Sequence, residues 1–397
     1  MNNDIILKIL GRDKELFLQD YKHSQEYLKN IISNSKIIVL GGAGSIGSSV
    51  VLELLKYNPF LLHIVDIDEN NLVELVRNIR SSKVYNQSKF ETFAIDISSS
   101  IFEKLVIDNN GYDIWMNFSA LKHVRSEKDV YSLMRLIEVN FINTFTTINL
   151  AKISGAKKYF SVSTDKAANP INYMGASKRI MELVIGCSSN IDVTSARFGN
   201  VAFSNGSLLH GMTNRFNLKQ PFVAPKDIKR FFLTPVEAAR LSILATFMSE
   251  PGNIYIPIIN NSIIETDFML IANNYLKYKG FNIKYVESEK EARDEIHNLI
   301  KDNKWPCYTF NSDTSGEKLR EKFLSENEKI ESTDLTEIGK INISNIENKN
   351  NIISFIESYN SLLNKNNLNH SMINSLIKIL IKNFSHKDLG KNLDQKM

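Results

Sequence analysis

The chain is predicted to fold as α/β, with a doubly wound parallel sheet and a smaller C-terminal mixed α/β domain. Three observations carry that prediction. Short apolar runs alternate with longer segments of helical periodicity, the pattern of a parallel sheet covered by helices on both faces. The first run feeds directly into a glycine-rich turn. Later runs end in polar or charged residues, at the strand ends where an open parallel sheet has its crevice.

Composition narrows the class. With 397 residues, 43% of them hydrophobic, the chain can bury a substantial core and support two domains with appendages. The net charge is +4, and the 48 Lys and Arg are dispersed rather than gathered in a basic block, so no nucleic-acid partner is expected. The two cysteines, Cys187 and Cys307, stand in no Cys-x-x-Cys pair and beside no His cluster. That excludes a disulfide framework and a zinc site, and fits reduced thiols in a cytoplasmic protein. The opening Met1-Asn2-Asn3-Asp4 has no basic region before an apolar run, and no apolar stretch approaches about 18 residues, so neither export nor a membrane span is expected.

Residues 1–34 read as a helical lead-in, with Leu7, Ile9, Leu10, Phe17, Leu18, Tyr27, Leu28 and Ile31 at roughly helical spacing. A nucleotide-binding domain is expected over 35–200. It opens with the strand Lys36-Ile37-Ile38-Val39-Leu40 and the turn Gly41-Gly42-Ala43-Gly44-Ser45-Ile46-Gly47. Glycines at 41, 44 and 47 permit a tight turn and a close approach to a pyrophosphate, seated on the N-terminus of a helix that begins near Ser45 and Ile46. The second strand, residues 61–66, ends in Asp66, placed to accept hydrogen bonds from a ribose diol. Its charge would repel a 2′-phosphate, which favours NAD over NADP; the competing reading is a helix N-cap. The third strand, 90–95, leads to Asp96 and Ile97 at an adenine edge. The fourth, 112–118, leads to Ser119 and Ala120 on the cofactor side and to Lys122 and His123, near nicotinamide or substrate or else a solvated pair. This is a Rossmann-type sheet.

After a helix containing Leu133, Leu136, Val139 and Asn140, a fifth strand over 158–163 delivers Thr164, Asp165 and Lys166 to the same crevice. If Asn169-Pro170 opens a helix, Met174 and Lys178 stand one turn apart on the face looking at that strand end. An acid, a base and a hydroxyl together suit proton transfer on a polyol, against the plainer reading of solvated charges. A sixth strand over 193–198 precedes Asn200, and residues 201–335 read as the part that binds substrate, with elements that can interleave with the first domain. Asn200, Ser207 and Arg230 are candidates for a diphosphate, each with a structural alternative. The run Glu317-Lys318-Leu319-Arg320-Glu321-Lys322 reads as a solvated helix face. Residues 336–397 form a helical extension with patterns at 352–363 and 372–384; the second carries an apolar stripe of Ile373, Leu376, Ile377, Leu380 and Phe384. It is expected to pack on the body or on a second subunit, with a membrane-surface helix as the lesser reading.

The glycine turn, Ser163-Thr164-Asp165-Lys166-Ala167, Asn169-Pro170, Met174-Gly175-Ala176-Ser177-Lys178-Arg179, Arg197-Phe198-Gly199-Asn200-Val201 and Arg230-Phe231-Phe232 together resemble the extended short-chain dehydrogenase/reductases. Within them, the chain is similar to the nucleotide-sugar 4,6-dehydratases of the CapD-like polysaccharide biosynthesis family, which serve capsule, O-antigen and protein-glycosylation pathways. The resemblance runs from about residue 8 to 330 and implies tightly held, internally recycled NAD and UDP-N-acetylglucosamine as substrate. A homo-oligomer is expected.

In most relatives a tyrosine stands four residues before the active-site lysine; here that residue is Met174, which cannot ionise. Tyr173 is turned about 100° around the helix from that position. A subgroup resembling this chain carries Met there, with the neighbouring Asp-Lys pair taking up acid/base work. The resemblance also implies the catalytic portion of larger membrane-anchored relatives, without their membrane region. Its implied roles are C4 hydroxyl deprotonation or C6 hydroxyl protonation for Asp165, C5 proton removal for Lys166, a ribose contact for Lys178 and a sugar contact for Thr164, with Met174 beside them. A C5-retaining dehydratase is the leading expectation. A C5-inverting dehydratase, a nucleotide-sugar epimerase and a non-catalytic NAD-binding module are the alternatives.

Overall fold

In a computed structural model, the structure describes residues 1–82, 89–188, 190–259, 265–312, 318–343 and 349–386. Among them the strands are β1 (Lys36–Leu40), β2 (Leu61–Asp66), β3 (Phe90–Ala94), β4 (Ile114–Asn117), β5 (Lys158–Thr164), β6 (Asp192–Phe198), β7 (Asn200–Val201), β8 (Phe222–Pro225), β9 (Lys229–Leu233), β10 (Asn253–Pro257), β11 (Glu265–Asp267), β12 (Asn282–Val286), β13 (Lys304–Phe310) and β14 (Ile338–Asn342). The large sheet has the order β14-β10-β6-β5-β4-β1-β2-β3. Its pairs are parallel except β10 with β14. Its central strands are near-continuous apolar runs because helices bury them on both faces. The chain builds outward from β1 to β3 and then crosses to β4, so the order reverses between β1 and β4, and a crevice opens there.

Two three-stranded sheets, β11-β9-β7 and β12-β13-β8, stand over the carboxyl ends of the large one and enclose a second apolar cluster that includes Phe222, Tyr275 and Trp305. The expected boundaries at 200 and 335 fall across the large sheet, since β10 and β14 complete its edge; the elements interleave between the expected parts. The helix Pro235–Phe247 also belongs to its layer, packing on Ser45–Leu55.

The lead-in forms three helices, Asn3–Ile9, Leu18–His23 and Gln25–Ser33. The helix expected to open at Asn169-Pro170 instead spans Tyr173–Cys187. Asn172 has extended backbone and its side chain accepts a hydrogen bond from Gly175 N (2.8 Å), so the cap falls three residues later than the first Asn. Upstream, Val130–Ile137 and Asn143–Ile153 are joined by a π-helical turn, Glu138–Ile142. The turn directs the fully buried Asn140 inward, where it bonds the backbone of Leu121 in both directions and Ser177 Oγ (2.9 Å).

The C-terminal helices Lys349–Leu363 and His370–Lys378 pack on this chain's own body. Phe355 meets Phe141 edge-on at 4.9 Å, Tyr173 donates to Asn374 Oδ1 (2.9 Å), and Ile373, Leu376, Ile377 and Phe384 are buried. Among the described residues, no helix is long and apolar enough to cross a membrane.

Candidate active site

A cavity of about 480 Å3 lies at the strand ends beside the switch point. One wall is the glycine turn. Gly41 has φ +68°, and a Cβ there would stand 2.6 Å from Ser119 N, so glycine lets the end of β1 meet the end of β4. A Cβ on Gly47 would lie 2.3 Å from Gly41 O, which fixes how closely the helix Ser45–Leu55 follows the turn. No side chain caps that helix at Gly44. Its first turn, with Gly41, Gly44, Ser45, Ile46 and Gly47, borders the cavity and presents a cradle for a pyrophosphate.

Asp66 accepts from Ala43 N (2.9 Å) and Asp68 N (3.0 Å), bracing the turn from the end of β2. The N-cap of the following helix is Asp68, which removes the capping alternative for Asp66. Asp66, Asp96, Ile97 and Ser119 stand outside the cavity lining, whereas Ala120 is part of it. Asp96 is engaged with Ser98 N (2.9 Å), Ser98 Oγ (2.7 Å) and Arg135 (3.4 Å). Partial burial opposes its ionisation, but these contacts outweigh it and hold the carboxyl below its ordinary value.

The opposite wall is the end of β5. A single turn of 3-10 helix, Asp165–Ala167, follows Thr164. Asp165 is fully buried, and its Oδ1 accepts from Thr164 Oγ1 (2.8 Å) and Lys166 Nζ (3.0 Å). Its Oδ2 is buried without a hydrogen-bond partner. Thr164 and Lys166 face the cavity, whereas Asp165 lies behind them, so it reaches a bound molecule only through those two side chains. Lys178 borders the cavity and donates to Val162 O (3.0 Å). Burial pushes its pKa down to about 8, with Glu182 acting in the other direction.

Met174 also lines the cavity, and among the described residues no tyrosine does. Tyr173 points into the C-terminal segment, its ring 4.7 Å from that of His386 and 5.4 Å from that of Phe384. Beneath the site, Arg197 is fully buried and forks onto both oxygens of Glu182 (2.8 Å each) and of Glu328 (2.6 and 2.8 Å). Glu182 takes Ser163 Oγ as well (2.7 Å). This network joins β5, β6, the helix of Lys178 and the loop around 323–328.

Lys122, His123, Asn200, Ser207 and Arg230 also border the cavity. Ser207 caps the helix Leu208–Asn217, and the His123 ring packs on Gly206, where a Cβ would lie 2.6 Å from Nε2. Asn205 N donates to Ser45 Oγ (2.8 Å), bridging the glycine turn to this wall. Arg230, a diphosphate candidate with a structural alternative, lines the cavity, and its Nη1 and Nη2 donate to the carbonyls of Lys229 (2.9 Å), Leu319 (2.9 Å) and Lys318 (2.6 Å).

The charge run beyond it is not a solvated helix over its described part, residues 318–322; Ser315, Gly316 and Glu317 lie outside the described residues. Glu321 turns inward to line the cavity at 5% exposure. Its carboxylate lies 4.0 Å from Lys166 Nζ and 3.3 Å from Lys318 Nζ. Burial pushes that carboxyl up, Lys166 draws it down, and Asp165 raises it further. Sequence reading missed Glu321, because a carboxylate inside a mixed-charge run carries no local mark of burial. Among the described residues, no cluster of three His, Cys, Asp or Glu could hold a metal.

A glycine turn at a sheet reversal, facing a Thr-Asp-Lys turn and a buried lysine one helix away, is the architecture of an extended short-chain dehydrogenase/reductase. The chain belongs to the polysaccharide biosynthesis protein family, which matches residues 37–343. It is 32% identical over 237 residues to an uncharacterized membrane protein of Methanocaldococcus jannaschii, covering 58% of this chain and 68% of that one. It is 27% identical over 303 residues to the capsular polysaccharide biosynthesis protein CapD of Staphylococcus aureus, covering 75% of this chain and 46% of CapD, so it spans under half of that relative. It is 25% identical over 279 residues to the UDP-N-acetylglucosamine 4,6-dehydratase (inverting) of Campylobacter jejuni, covering 68% and 78%. Among solved structures, Pen from Bacillus thuringiensis superposes with TM-score 0.64 at 21% identity, covering 80% of this chain and 89% of that one.

Proposed function

We propose that this protein is an NAD-dependent 4,6-dehydratase of UDP-N-acetylglucosamine. One observation carries the reading: Met174 occupies the tyrosine position, while a Thr164-Asp165-Lys166 turn with a spare buried carboxylate oxygen faces the same space. Glycines 41, 44 and 47 with Ser45 and Ile46 would hold the pyrophosphate, and Lys178 the nicotinamide ribose. Asp66 at the end of β2 favours NAD over NADP. When bound, NAD supplies the reversible oxidation of the sugar, at C4 and back at C6.

The protein's own groups move the protons. Thr164 Oγ takes the C4 hydroxyl proton as its own passes to Asp165 along their 2.8 Å hydrogen bond. The C4 ketone acidifies C5, and Lys166 removes that proton while staying within hydrogen-bond reach of the now protonated Asp165, 3.0 Å away. The proton stored on Asp165 returns through Thr164 to the departing C6 hydroxyl, which leaves as water. Lys166 then gives a proton back to C5. Lys122, which borders the cavity, supplies a cation for the diphosphate, with Asn200 and Ser207 as polar neighbours.

The C. jejuni relative is an inverting dehydratase, which favours C5 inversion as the second reading. The first test is to identify the nucleotide released on denaturing the purified protein and to weigh the product from UDP-N-acetylglucosamine. NAD and a product lighter by one water are expected. Protein that carries NAD yet returns this sugar unchanged overturns the substrate assignment, and a 4-epimer of unchanged mass overturns the dehydratase.

A further inference from the structure

The residues immediately around Glu321 are solvated: Leu319, Arg320 and Lys322 are exposed. Between them Glu321 turns inward, at a desolvation cost that a surface loop does not ordinarily bear. The loop is held there by two buried arginines. Arg230 bonds the carbonyls of Lys318 and Leu319, and Arg197 bonds the carbonyl of Phe323 (2.6 Å) and Glu328. Lys318 anchors it further by donating to Asn169 O, just ahead of the helix that carries Lys178. Lys166 thus has its ammonium between Asp165 at 3.0 Å and Glu321 at 4.0 Å, while Lys318 competes for Glu321 at 3.3 Å.

We propose that Glu321 is a positioning residue that holds the Lys166 side chain toward the cavity, and that Arg230 serves the site by pinning the loop that delivers it. The inference rests on the dehydratase reading for its kinetic consequence, but not for its structural one. Asp165 alone would draw Lys166 back against the wall behind Thr164. Glu321 lines the cavity whereas Asp165 does not, so this second carboxylate opposes that pull and leaves the nitrogen at the cavity surface. Because Glu321 comes from the loop after the small sheets, it also ties the geometry of Lys166 to the packing of that loop.

The test has two independent readouts on the full-length protein. Glu321→Gln should lower kcat by about tenfold or more with KM for UDP-N-acetylglucosamine within about twofold, and Glu321→Asp, which keeps the charge, should recover most of the loss. Separately, acetylation of Lys166 by acetic anhydride at fixed pH, followed by peptide mass spectrometry, should fall several-fold in Glu321→Gln relative to the surface lysines, as the side chain withdraws toward Asp165. Lys318→Gln, which removes the competing charge but keeps an amide donor for Asn169 O, should shift it in the opposite sense, and this variant keeps the idea testable if Glu321→Gln does not fold. Unchanged Lys166 labelling in the folded variants overturns the inference, as does an equal loss of kcat in the Asp and Gln variants. Labelling that changes as expected in a protein with no dehydratase activity overturns the functional reading instead.

Discussion

Glu127 offers a quantitative prediction at the start of the helix that carries Met174 and Lys178. It is 8% exposed, and its Oε1 accepts from Met174 N (2.9 Å). Its Oε2 has no hydrogen-bond partner and faces His386 Nδ1 at 4.0 Å, while His370 Nε2 meets its main-chain oxygen at 3.3 Å. Burial raises its pKa from 4.5 to about 7, against the pull of the Met174 and Tyr173 amides. Between these values the folded protein binds more protons here than the unfolded chain does. The stabilising contribution is therefore fully present below the unfolded value and is lost as pH rises through about 7. At about 1.4 kcal/mol per unit, the interval is worth about 3 kcal/mol as a ceiling. Glu127→Gln keeps an acceptor for Met174 N and stays neutral throughout. In urea unfolding from pH 5 to 8, wild type should lose up to about 3 kcal/mol relative to the variant, nearly all of it by pH 8. Parallel pH dependences for the two proteins would refute the reasoning.

Two further substitutions test the cavity walls. In Gly47→Ala, a Cβ would stand 2.3 Å from Gly41 O, so the turn must move. A displacement costing only about 1.4 kcal/mol lowers NAD affinity tenfold, and the NAD content of the purified variant should fall accordingly. Tyr173→Phe removes the hydroxyl that bonds Asn374 and should cost about 1 kcal/mol of stability while leaving kcat unchanged. A hundredfold fall in kcat with intact folding would instead make Tyr173 the proton carrier.

The large sheet was legible because each inner strand is an apolar run buried on both faces, a pattern that needs no knowledge of its partners. The glycine turn was legible for a similarly local reason, since the steric demands at Gly41 and Gly47 leave only glycine. What was not legible depends on contacts distant in sequence. Two asparagines flank Pro170, and which one caps the helix is decided by backbone geometry at Asn172. For Arg230 the sequence leaves a diphosphate contact and a structural role both open, and the carbonyls of 318 and 319 that hold it come from 88 and 89 residues away. Asp165 is adjacent in sequence to residues that face the cavity, yet the 3-10 turn sets it behind them. Neither β14, added antiparallel to the edge of a parallel sheet, nor the docking of the C-terminal stripe on the body could be chosen over its alternatives from periodicity alone.

In the proposed reaction the Thr164-Asp165-Lys166 turn moves protons at C4, C5 and C6 of one sugar without net consumption of cofactor. The most direct measurement is NMR of UDP-N-acetylglucosamine turned over in D2O. A new C6 methyl group, deuterium at C5 delivered by the exchangeable Lys166 ammonium, a single C5 configuration and no accumulated NADH are expected. A 4-epimer lacking the methyl group, or a methyl product with protium retained at C5, would contradict it.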